Sequence, residues 1–159
     1  MIELKPLTRQ DVNEASCLVV SVWKKHYRGL LSQSFLQKLS PNAHTEKFKR
    51  QIDKSDGYLY GAYDGDVLVG VLQALDTEDG IHLKQLCVKE SAQRQGIGKR
   101  LLTVLPPNRS VKAHVIVGNT VAHAFYEKNG FKKTGERMMS EYRGGRFAVD
   151  VYVRNNQAR

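Results

Sequence analysis

The feature that most constrains the fold is a β-forming stretch that turns back on itself near the middle of the chain. Residues 58–75 read YLYGAYDGDVLVGVLQAL, two runs rich in β-branched and aromatic residues on either side of an Asp-Gly turn. Asp-Gly between two such runs is a strong hairpin signal, because glycine adopts the positive φ angles that a tight turn needs. Another β-type run, GIHLKQLCVKE, follows at 80–90. The sequence therefore predicts an antiparallel sheet at the centre of the protein.

Helical patterns flank this hairpin on both sides. Before it, apolar residues recur at three- and four-residue spacing over 12–26, which predicts an amphipathic helix, and two shorter helices are predicted over 32–39 and after Pro41. After it, we predict a helix from Gly96 to Pro106, a strand over 111–117, a helix over 119–128, and strands over about 131–142 and 146–153 joined across RGG. With a short first strand at 2–7, this order predicts an α/β fold with a mixed, largely antiparallel sheet.

Length and composition fit one globular domain, which we assign to residues 1–159. Hydrophobic residues make up 41% and charged residues 26% of the chain, which is ordinary globular usage. No apolar run approaches the ~18 residues that cross a bilayer, and the two cysteines, Cys17 and Cys87, are too few for a disulfide framework. We therefore expect a cytoplasmic protein that does not enter the membrane.

The net charge of +9 raises the question of nucleic-acid binding. The basic residues are dispersed in short, separated groups, and no helix-turn-helix, zinc-finger spacing or RNA-binding aromatic strand accompanies them. We expect no nucleic-acid partner and no metal site. The positive field is expected to recruit a small polyanionic ligand instead.

The alternation of apolar residues slips within the strand predicted at 80–90. Leu83 and Leu86 are three residues apart while Leu86 and Val88 are two apart, so a regular strand cannot place all three on one face. A β-bulge between Lys84 and Leu86 would restore the phase. An early end of the strand would explain the pattern equally well.

Residues 93–100 read QRQGIGKR and raise the question of an anion site. They do not fit the Walker pattern, because position 93 is Gln rather than Gly and Arg100 replaces the magnesium-binding Ser or Thr. They do not fit the dinucleotide fingerprint, because position 101 is Leu and the preceding strands form a hairpin. Two glycines at a helix start still allow a close approach to backbone N–H groups, which suit an anionic oxygen. This stretch alone leaves a structural turn and an anion site open.

A second motif, VIVGNTVAHAFYEKNGF, begins in the next predicted strand and continues into a helix. Asn119, Ala122 and Tyr126 follow one another at three- and four-residue steps and share one helix face, with Asn119 and Tyr126 about 10 Å apart along the axis. An elongated ligand would contact both. In the structural alternative, Asn119 caps the start of the helix and Gly130 its end.

In tandem, the two motifs resemble the GNAT superfamily of N-acetyltransferases over roughly residues 58–153. The matching pieces are LCV at 86–88, Q-x-x-G-x-G at Gln93, Gly96 and Gly98, and N-x-x-A-x-x-F-Y-E-K-x-G-F from Asn119 to Phe131. The resemblance implies about seven strands flanked by helices, with a splayed central strand pair. It also implies transfer of the acetyl group of acetyl-CoA to a primary amine of a small molecule or peptide.

The resemblance assigns roles to the matched residues. It implies that backbone amides from Arg94 to Lys99 bind the pyrophosphate, and that the backbone of Leu86 to Val88 hydrogen-bonds the pantetheine arm like an added strand. It also implies that Asn119 holds this arm and that Tyr126 donates a proton to the leaving thiolate. The implied cofactor-binding residues are Leu86, Cys87, Val88, Gln93, Arg94, Gln95, Gly96, Ile97, Gly98, Lys99, Arg100, Asn119 and Tyr126.

The resemblance leaves the general base unassigned. Family members often carry a Glu on the fourth strand, whereas this strand offers His82, Lys84 and Gln85 and no carboxylate before Glu90. His82 is chemically suitable, so we expect His82→Ala to lower activity more at neutral pH than at pH 9; an exposed histidine without a role is the alternative. Covalent transfer through Cys87 is a second mechanism to test, although no nearby feature indicates a lowered thiol pKa.

The acceptor pocket is expected in the N-terminal third, where Trp23 and Tyr27 stand four residues apart on the first helix. Their rings belong either to the core or to the pocket wall. Amino acids, peptide N-termini, polyamines and aminoglycosides all stay open as acceptors, although the basic balance opposes a polycation unless an acidic stretch such as DTEDG lines the pocket. A noncatalytic acyl-CoA-binding module and a nucleic-acid-binding domain stay open as other functions, and a homodimer as an oligomeric state.

Overall fold

The structure is a computed structural model and describes residues 1–142 and 145–155. Its elements are β1 (Ile2–Pro6), α1 (Val12–His26), α2 (Gln33–Lys38), α3 (Pro41–Asp53), β2 (Tyr58–Asp64), β3 (Val67–Thr77), β4 (Gly80–Val88), α4 (Ile97–Leu102), β5 (Val111–Ile116), α5 (Thr120–Lys128), β6 (Lys132–Tyr142) and β7 (Gly145–Arg154). The predicted order of elements is confirmed. Helix α4 ends earlier than its predicted boundary at Pro106, and Arg143 and Gly144 of the predicted last turn lie outside the described residues.

The strands form one seven-stranded sheet in the order β1-β2-β3-β4-β5-β7-β6. Every neighbouring pair is antiparallel except β4 and β5, which are parallel. The hairpin that dominates the sequence is the β2–β3 pair, and Gly65 in its turn has the positive φ of 62° that the Asp-Gly signal predicted. The predicted α/β fold class with a largely antiparallel sheet is therefore confirmed.

The two central strands separate part of the way along their length. Strands β4 and β5 pair only from Ile81 opposite Val111 to Leu83 opposite Ala113, although β4 continues to Val88. Beyond this point the strands diverge and leave a gap in the sheet. The splayed central pair implied by the sequence resemblance is present.

A β-bulge on β4 lies at the point where this separation begins. Leu83 stands opposite Ala74 of β3 and Gln85 opposite Gln73, so Lys84 is the extra residue without a partner in the ladder. The bulge restores the alternation that slipped in the sequence, because Leu83 and Leu86 now pack on the same face of the sheet. The predicted bulge is confirmed at this position, and the strand does not end early.

Each face of the sheet is covered by its own pair of helices. Helices α4 and α5 cover one face, where Leu72, Ile97 and Leu101 are buried in the larger core cluster. Helices α1 and α3 cover the other face, where Val19 and Phe48 are fully buried. Each such side chain contributes on the order of 1.5–3 kcal/mol through the apolar surface that it removes from water.

Candidate active site

The gap between β4 and β5 opens into one long cleft of about 1240 Å³. It runs from the glycine turn before α4, past the free edge of β4 and the face of α5, to a group of aromatic and histidine side chains beneath α1 and α3. A volume above ~1000 Å³ exceeds the usual range for a drug-sized ligand. The cleft can therefore hold an elongated molecule together with a second, smaller one.

The glycine turn forms the first end of the cleft and presents backbone N–H groups to it. Gly96 has a φ of 75° and Arg94 a φ of 65°, so two left-handed residues shape the turn. The first hydrogen bond of α4 runs from Arg100 N to Gly96 O at 3.0 Å, so the amides ahead of Arg100 have no acceptor within the helix. Successive N–H groups in such a turn form an anion-binding concavity.

Gly98 is needed at this turn for a different reason from Gly96. A Cβ on Gly98 would lie 3.0 and 3.1 Å from two ring atoms of Phe125 on α5, whereas a Cβ on Gly96 would meet nothing within 4 Å. Gly96 therefore allows the left-handed backbone conformation of the turn, and Gly98 leaves room for the Phe125 ring. Because Gly98 belongs to the first sequence motif and Phe125 to the second, the two motifs are linked by a direct packing contact.

The free edge of β4 forms the middle of the cleft. Lys89 N donates to Val69 O of β3 at 2.8 Å, so alternate residues before it also direct their backbone groups to β3, Cys87 among them. Leu86 and Val88 direct theirs to the opposite side, into the splay. The Val88 carbonyl accepts from Gln93 Nε2 at 2.9 Å, which holds the strand end against the glycine turn.

The structure corrects two of the predicted cofactor contacts. The backbone of Cys87 pairs with Val71 of β3 and is therefore not available to an arm lying in the splay, while its side chain packs in the core beneath α1 and lines the cleft wall. The Arg100 amide is used within α4, and the Arg100 side chain, like that of Gln95, does not line the cleft. Both errors arise because sequence position places a residue near a site without giving the direction that it faces.

Helix α5 forms one wall of the cleft through the face predicted from its spacing. Asn119 Oδ1 caps the helix by accepting from Ala122 N at 3.2 Å, which leaves the amide group of Asn119 as a donor at the cleft. Tyr126 is half-buried in the same wall. Burial raises the pKa of Tyr126, and Tyr27 and Cys87 nearby raise it further, so its phenol stays protonated at physiological pH.

A pair of histidines lies on β4 and β5 where the two strands separate. The rings of His82 and His114 are 4.7 Å apart between centroids and meet edge to face. Burial is the main cause that lowers the pKa of His82 to about 4, followed by the charge of Lys84. Burial and Lys84 also lower the pKa of His114. Both imidazoles are therefore neutral at physiological pH and can accept a proton.

Aromatic side chains close the far end of the cleft. The Trp23 ring meets the Tyr27 ring edge to face at 5.0 Å and lies 5.7 Å from that of Tyr142, and Trp23 Nε1 donates to Gln85 Oε1 at 3.1 Å. Phe147 and His44 complete this group, which we call the aromatic wall. Trp23 and Tyr27 thus pack against neighbours and line the cleft at the same time.

Several members of this wall could not be found from the sequence. His44 comes from α3, Tyr142 from β6 and Phe147 from β7, and none belongs to a spaced motif. Only the folding of three distant segments onto α1 brings them together. Tyr142 stacks on His44 with the rings 5.8 Å apart, so the wall is ordered by its own contacts.

Two further carboxyl or thiol groups considered from the sequence do not serve as reactive groups in the cleft. Glu90 Oε2 accepts from Lys25 Nζ at 3.1 Å on the surface, where the Lys25 ammonium lowers the pKa of this carboxyl. Burial raises the pKa of the Cys87 thiol to about 12, and its Sγ lies 3.8 Å from Gln85 Oε1. A thiol with this pKa is not a thiolate nucleophile at neutral pH.

Within residues 1–142 and 145–155, no group of three or more His, Cys, Asp or Glu side chains is arranged to hold a metal ion. No helix in this part of the chain is both long enough and apolar enough to cross a membrane.

The fold and the cleft fit an enzyme that binds an elongated donor with an anionic end. The family described as the acetyltransferase (GNAT) domain matches residues 8–143. The chain therefore belongs to the GNAT family of acetyltransferases. This assignment confirms the class predicted from the two motifs, an enzyme that transfers the acetyl group of acetyl-CoA to an amine.

Individual relatives agree with this assignment. The chain is 25% identical over 142 residues to a spermidine N(1)-acetyltransferase of Thermoplasma acidophilum, covering 82% of this chain and 88% of that protein. It is 28% identical over 138 residues to the probable N-acetyltransferase Rv2775 of Mycobacterium tuberculosis, covering 79% and 76%. The crystal structure of a PaiA N-acetyltransferase from Thermoplasma acidophilum in complex with coenzyme A has the same fold, with a TM-score of 0.75 and 23% identity over 94% of this chain and 98% of that one.

Proposed function

We propose that this acetyltransferase passes the acetyl group of acetyl-CoA directly to the primary amine of a small molecule within the splay cleft. The observation that carries the proposal is the continuity of the cleft, which joins the N–H groups of the glycine turn to the histidine pair and the aromatic wall. The pyrophosphate is assigned to the amides from Arg94 to Lys99. The pantetheine arm is assigned to the free edge at Leu86 and Val88 and to Asn119.

The chemistry requires the amine nitrogen to attack the thioester carbonyl carbon. A C–N bond forms, the C–S bond breaks, the nitrogen loses one proton and the departing sulfur gains one. Tyr126 is assigned as the donor to the sulfur, because burial keeps its phenol protonated. A thiol has a pKa near 8.5, so the leaving group needs only moderate assistance.

His82 is assigned as the acceptor of the proton that the nitrogen loses. An imidazole with a pKa of about 4 is too weak to deprotonate a free ammonium, whose pKa lies at about 8–10. Once the C–N bond has formed, the nitrogen is far more acidic, and a neutral imidazole can accept its proton. His114 is in ring contact with His82 and can carry the proton onward.

This assignment changes the pH dependence expected for His82→Ala. Because the folded-state pKa of His82 is lowered to about 4, the ring is neutral throughout pH 6–9. We expect a loss of about 10- to 100-fold in kcat that is similar at pH 7 and pH 9. This replaces the larger loss at neutral pH that an ordinary histidine predicts. Steady-state rates across this range measure the loss. A loss confined to neutral pH would instead indicate that His82 deprotonates the free ammonium before the attack.

Direct transfer also predicts the behaviour of Cys87→Ser. The thiol is buried and protonated. Because the thiolate is the nucleophile, we expect no acetyl-cysteine intermediate to form at this residue. We expect kcat to stay within about threefold of the parent enzyme, with a small loss of stability because a hydroxyl replaces a thiol in the core. Turnover and thermal melting measure the two effects. A collapse of turnover without unfolding would point to a covalent route.

The proposed function is tested by thiol release from acetyl-CoA with a panel of primary amines. We expect acetyl-CoA and CoA to raise the melting temperature, because a ligand that binds only the folded state stabilises it. We also expect free thiol to appear only when a suitable amine is added. A melting shift without thiol release for any amine would favour a noncatalytic acyl-CoA-binding module. No melting shift would contradict acetyl-CoA binding itself.

We propose a cytoplasmic location and a small-molecule partner rather than nucleic acid. Free thiols and the dispersed basic residues support these two assignments. A homodimer stays a prediction. Size-exclusion chromatography with light scattering tests it, and a DNA- and RNA-binding assay at physiological salt tests the expected lack of nucleic-acid affinity.

A further inference from the structure

The acceptor end of the cleft carries an excess of positive charge. The basic side chains that line it away from the glycine turn are Lys47, Arg50, Lys54 and Lys84. The acidic side chains in the lining are Asp56 and Glu141, and Glu141 Oε1 already lies 3.0 Å from Arg146 Nε. The lining at this end therefore contains more basic side chains than acidic ones.

Lys84 lines the cleft two residues after His82. It is the extra residue of the β4 bulge, and it lines the cleft between its chain neighbours Leu83 and Gln85. Its charge lowers the pKa of both His82 and His114. Burial lowers the pKa of Lys84 itself, and the nearby charge of Lys47 lowers it further.

Lys47 connects this basic group to the aromatic wall. Its Nζ lies 4.8 Å from the centroid of the Tyr142 ring, in a cation–π contact. Tyr142 in turn contacts Trp23. Trp23 also donates from Nε1 to Gln85, the residue that follows Lys84, so Lys47 and Lys84 line the same end of the cleft on either side of these rings. An anion placed between two ammonium groups stabilises the charged form of each.

The acidic stretch that would favour a polycationic acceptor lies elsewhere. Asp76, the first residue of DTEDG, forms an ion pair with Arg109 at 2.8 Å. Arg109 NH2 also donates to the Thr77 carbonyl at 2.6 Å. No residue from 76 to 80 lines the cleft within the part of the chain that the structure describes. This stretch therefore adds no acidic side chain to the lining, in which Asp56 and Glu141 are the acidic residues.

We propose that the acceptor is a small amine that also carries an anionic group, bound by Lys84 beside Lys47, and that its apolar body packs against the aromatic wall. This proposal rests on the proposed function, since it names the substrate class of the same cleft. It separates this enzyme from the spermidine-acetylating relative, because a polyamine would bring further positive charge to a basic pocket.

The test compares kcat/KM for phenylalanine, phenylalaninamide and spermidine, with free thiol as the readout. The first two share an aromatic body and differ in the carboxylate, and phosphorylethanolamine tests whether a phosphate serves in its place. We expect the anionic amines to be preferred over phenylalaninamide by at least about tenfold, and spermidine to be the poorest acceptor. A preference for spermidine or for phenylalaninamide would overturn the proposal and leave the acetyltransferase assignment standing.

Two matched variants decide whether Lys84 is responsible. Lys84→Gln is expected to remove most of the preference for the anionic amine, measured as the ratio of kcat/KM for phenylalanine to kcat/KM for phenylalaninamide. Lys132→Gln makes the same change of charge on β6, outside the cleft, and is expected to leave the preference unchanged. An unchanged preference in Lys84→Gln would overturn the proposal, provided that CoA still raises its melting temperature. If none of the amines tested makes the parent enzyme release thiol, the proposed function is contradicted, and this inference is contradicted with it.

Discussion

Tyr126→Phe is expected to lower kcat by about 100-fold while acetyl-CoA binds with nearly unchanged affinity. Positioned general acids contribute about 10²–10⁴-fold, and a thiolate is a good enough leaving group to place this case at the lower end. The substitution removes one hydroxyl and retains the ring, which packs edge to face on Phe125 and Phe131. Steady-state kinetics with a direct measurement of the acetyl-CoA dissociation constant separate the two effects.

The pH profile gives a second measure of the same assignment. Because burial raises the folded-state pKa of Tyr126, the parent enzyme is expected to show no loss of activity from its ionisation up to about pH 9. Tyr60→Phe is the matched control, since Tyr60 is a half-buried tyrosine on β2 that packs against the same core and does not line the cleft. Equal losses in both variants would show that Tyr126 acts through stability alone.

Gly98→Val is expected to weaken acetyl-CoA binding by roughly 5- to 150-fold, because overpacking typically costs about 1–3 kcal/mol. The added Cβ alone would lie 3.0 Å from the Phe125 ring, and the two methyl groups add to this conflict. Phe125 belongs to α5, which also carries Tyr126 and begins at the Asn119 cap. Displacement of α5 therefore disturbs both assigned contacts to the donor. Isothermal titration with CoA measures the loss.

Two further variants identify the cause of this loss. Gly98→Val combined with Phe125→Leu is expected to recover part of the affinity, because the smaller side chain makes room for the valine. Gly65→Ala places a side chain at a positive φ of 62° in the β2–β3 turn, where it meets nothing within 4 Å. It is expected to lower stability by about 1 kcal/mol without changing CoA affinity. Full affinity in Gly98→Val would show that the motif glycine is not required for the donor site.

Much of the fold could be predicted because its signals are local. The Asp-Gly hairpin, the helical spacing over 12–26 and the phase slip at Leu83 and Leu86 each depend on a few consecutive residues, and each was confirmed. The sequence predicts too late an end for α4, because Val104 and Leu105 continue the apolar pattern although the chain has already left the helix. Boundaries depend on competing tertiary contacts more than the existence of an element does.

In the candidate site, too, local signals could be predicted from the sequence and tertiary contacts could not. The two motifs place the glycine turn and the α5 face at the cleft, because each motif carries its own backbone geometry. They also placed Cys87 and Arg100 at the donor, and the structure directs the backbone of Cys87 to β3 and uses the Arg100 amide within α4. A motif indicates which residues lie near the site, whereas the sheet register decides to which side their backbone groups face.

The sequence by itself determined the class of fold, the glycine turn before α4 and the family, since the hairpin, helix and glycine signals each depend on neighbouring residues. Only the tertiary structure decided what surrounds the acceptor. His82 meets His114 across two strands, and Lys84 reaches the cleft from a bulge. Tyr142 joins Trp23 from a segment more than a hundred residues away in the chain. These contacts depend on sheet order and strand register, which no local pattern of residues contains.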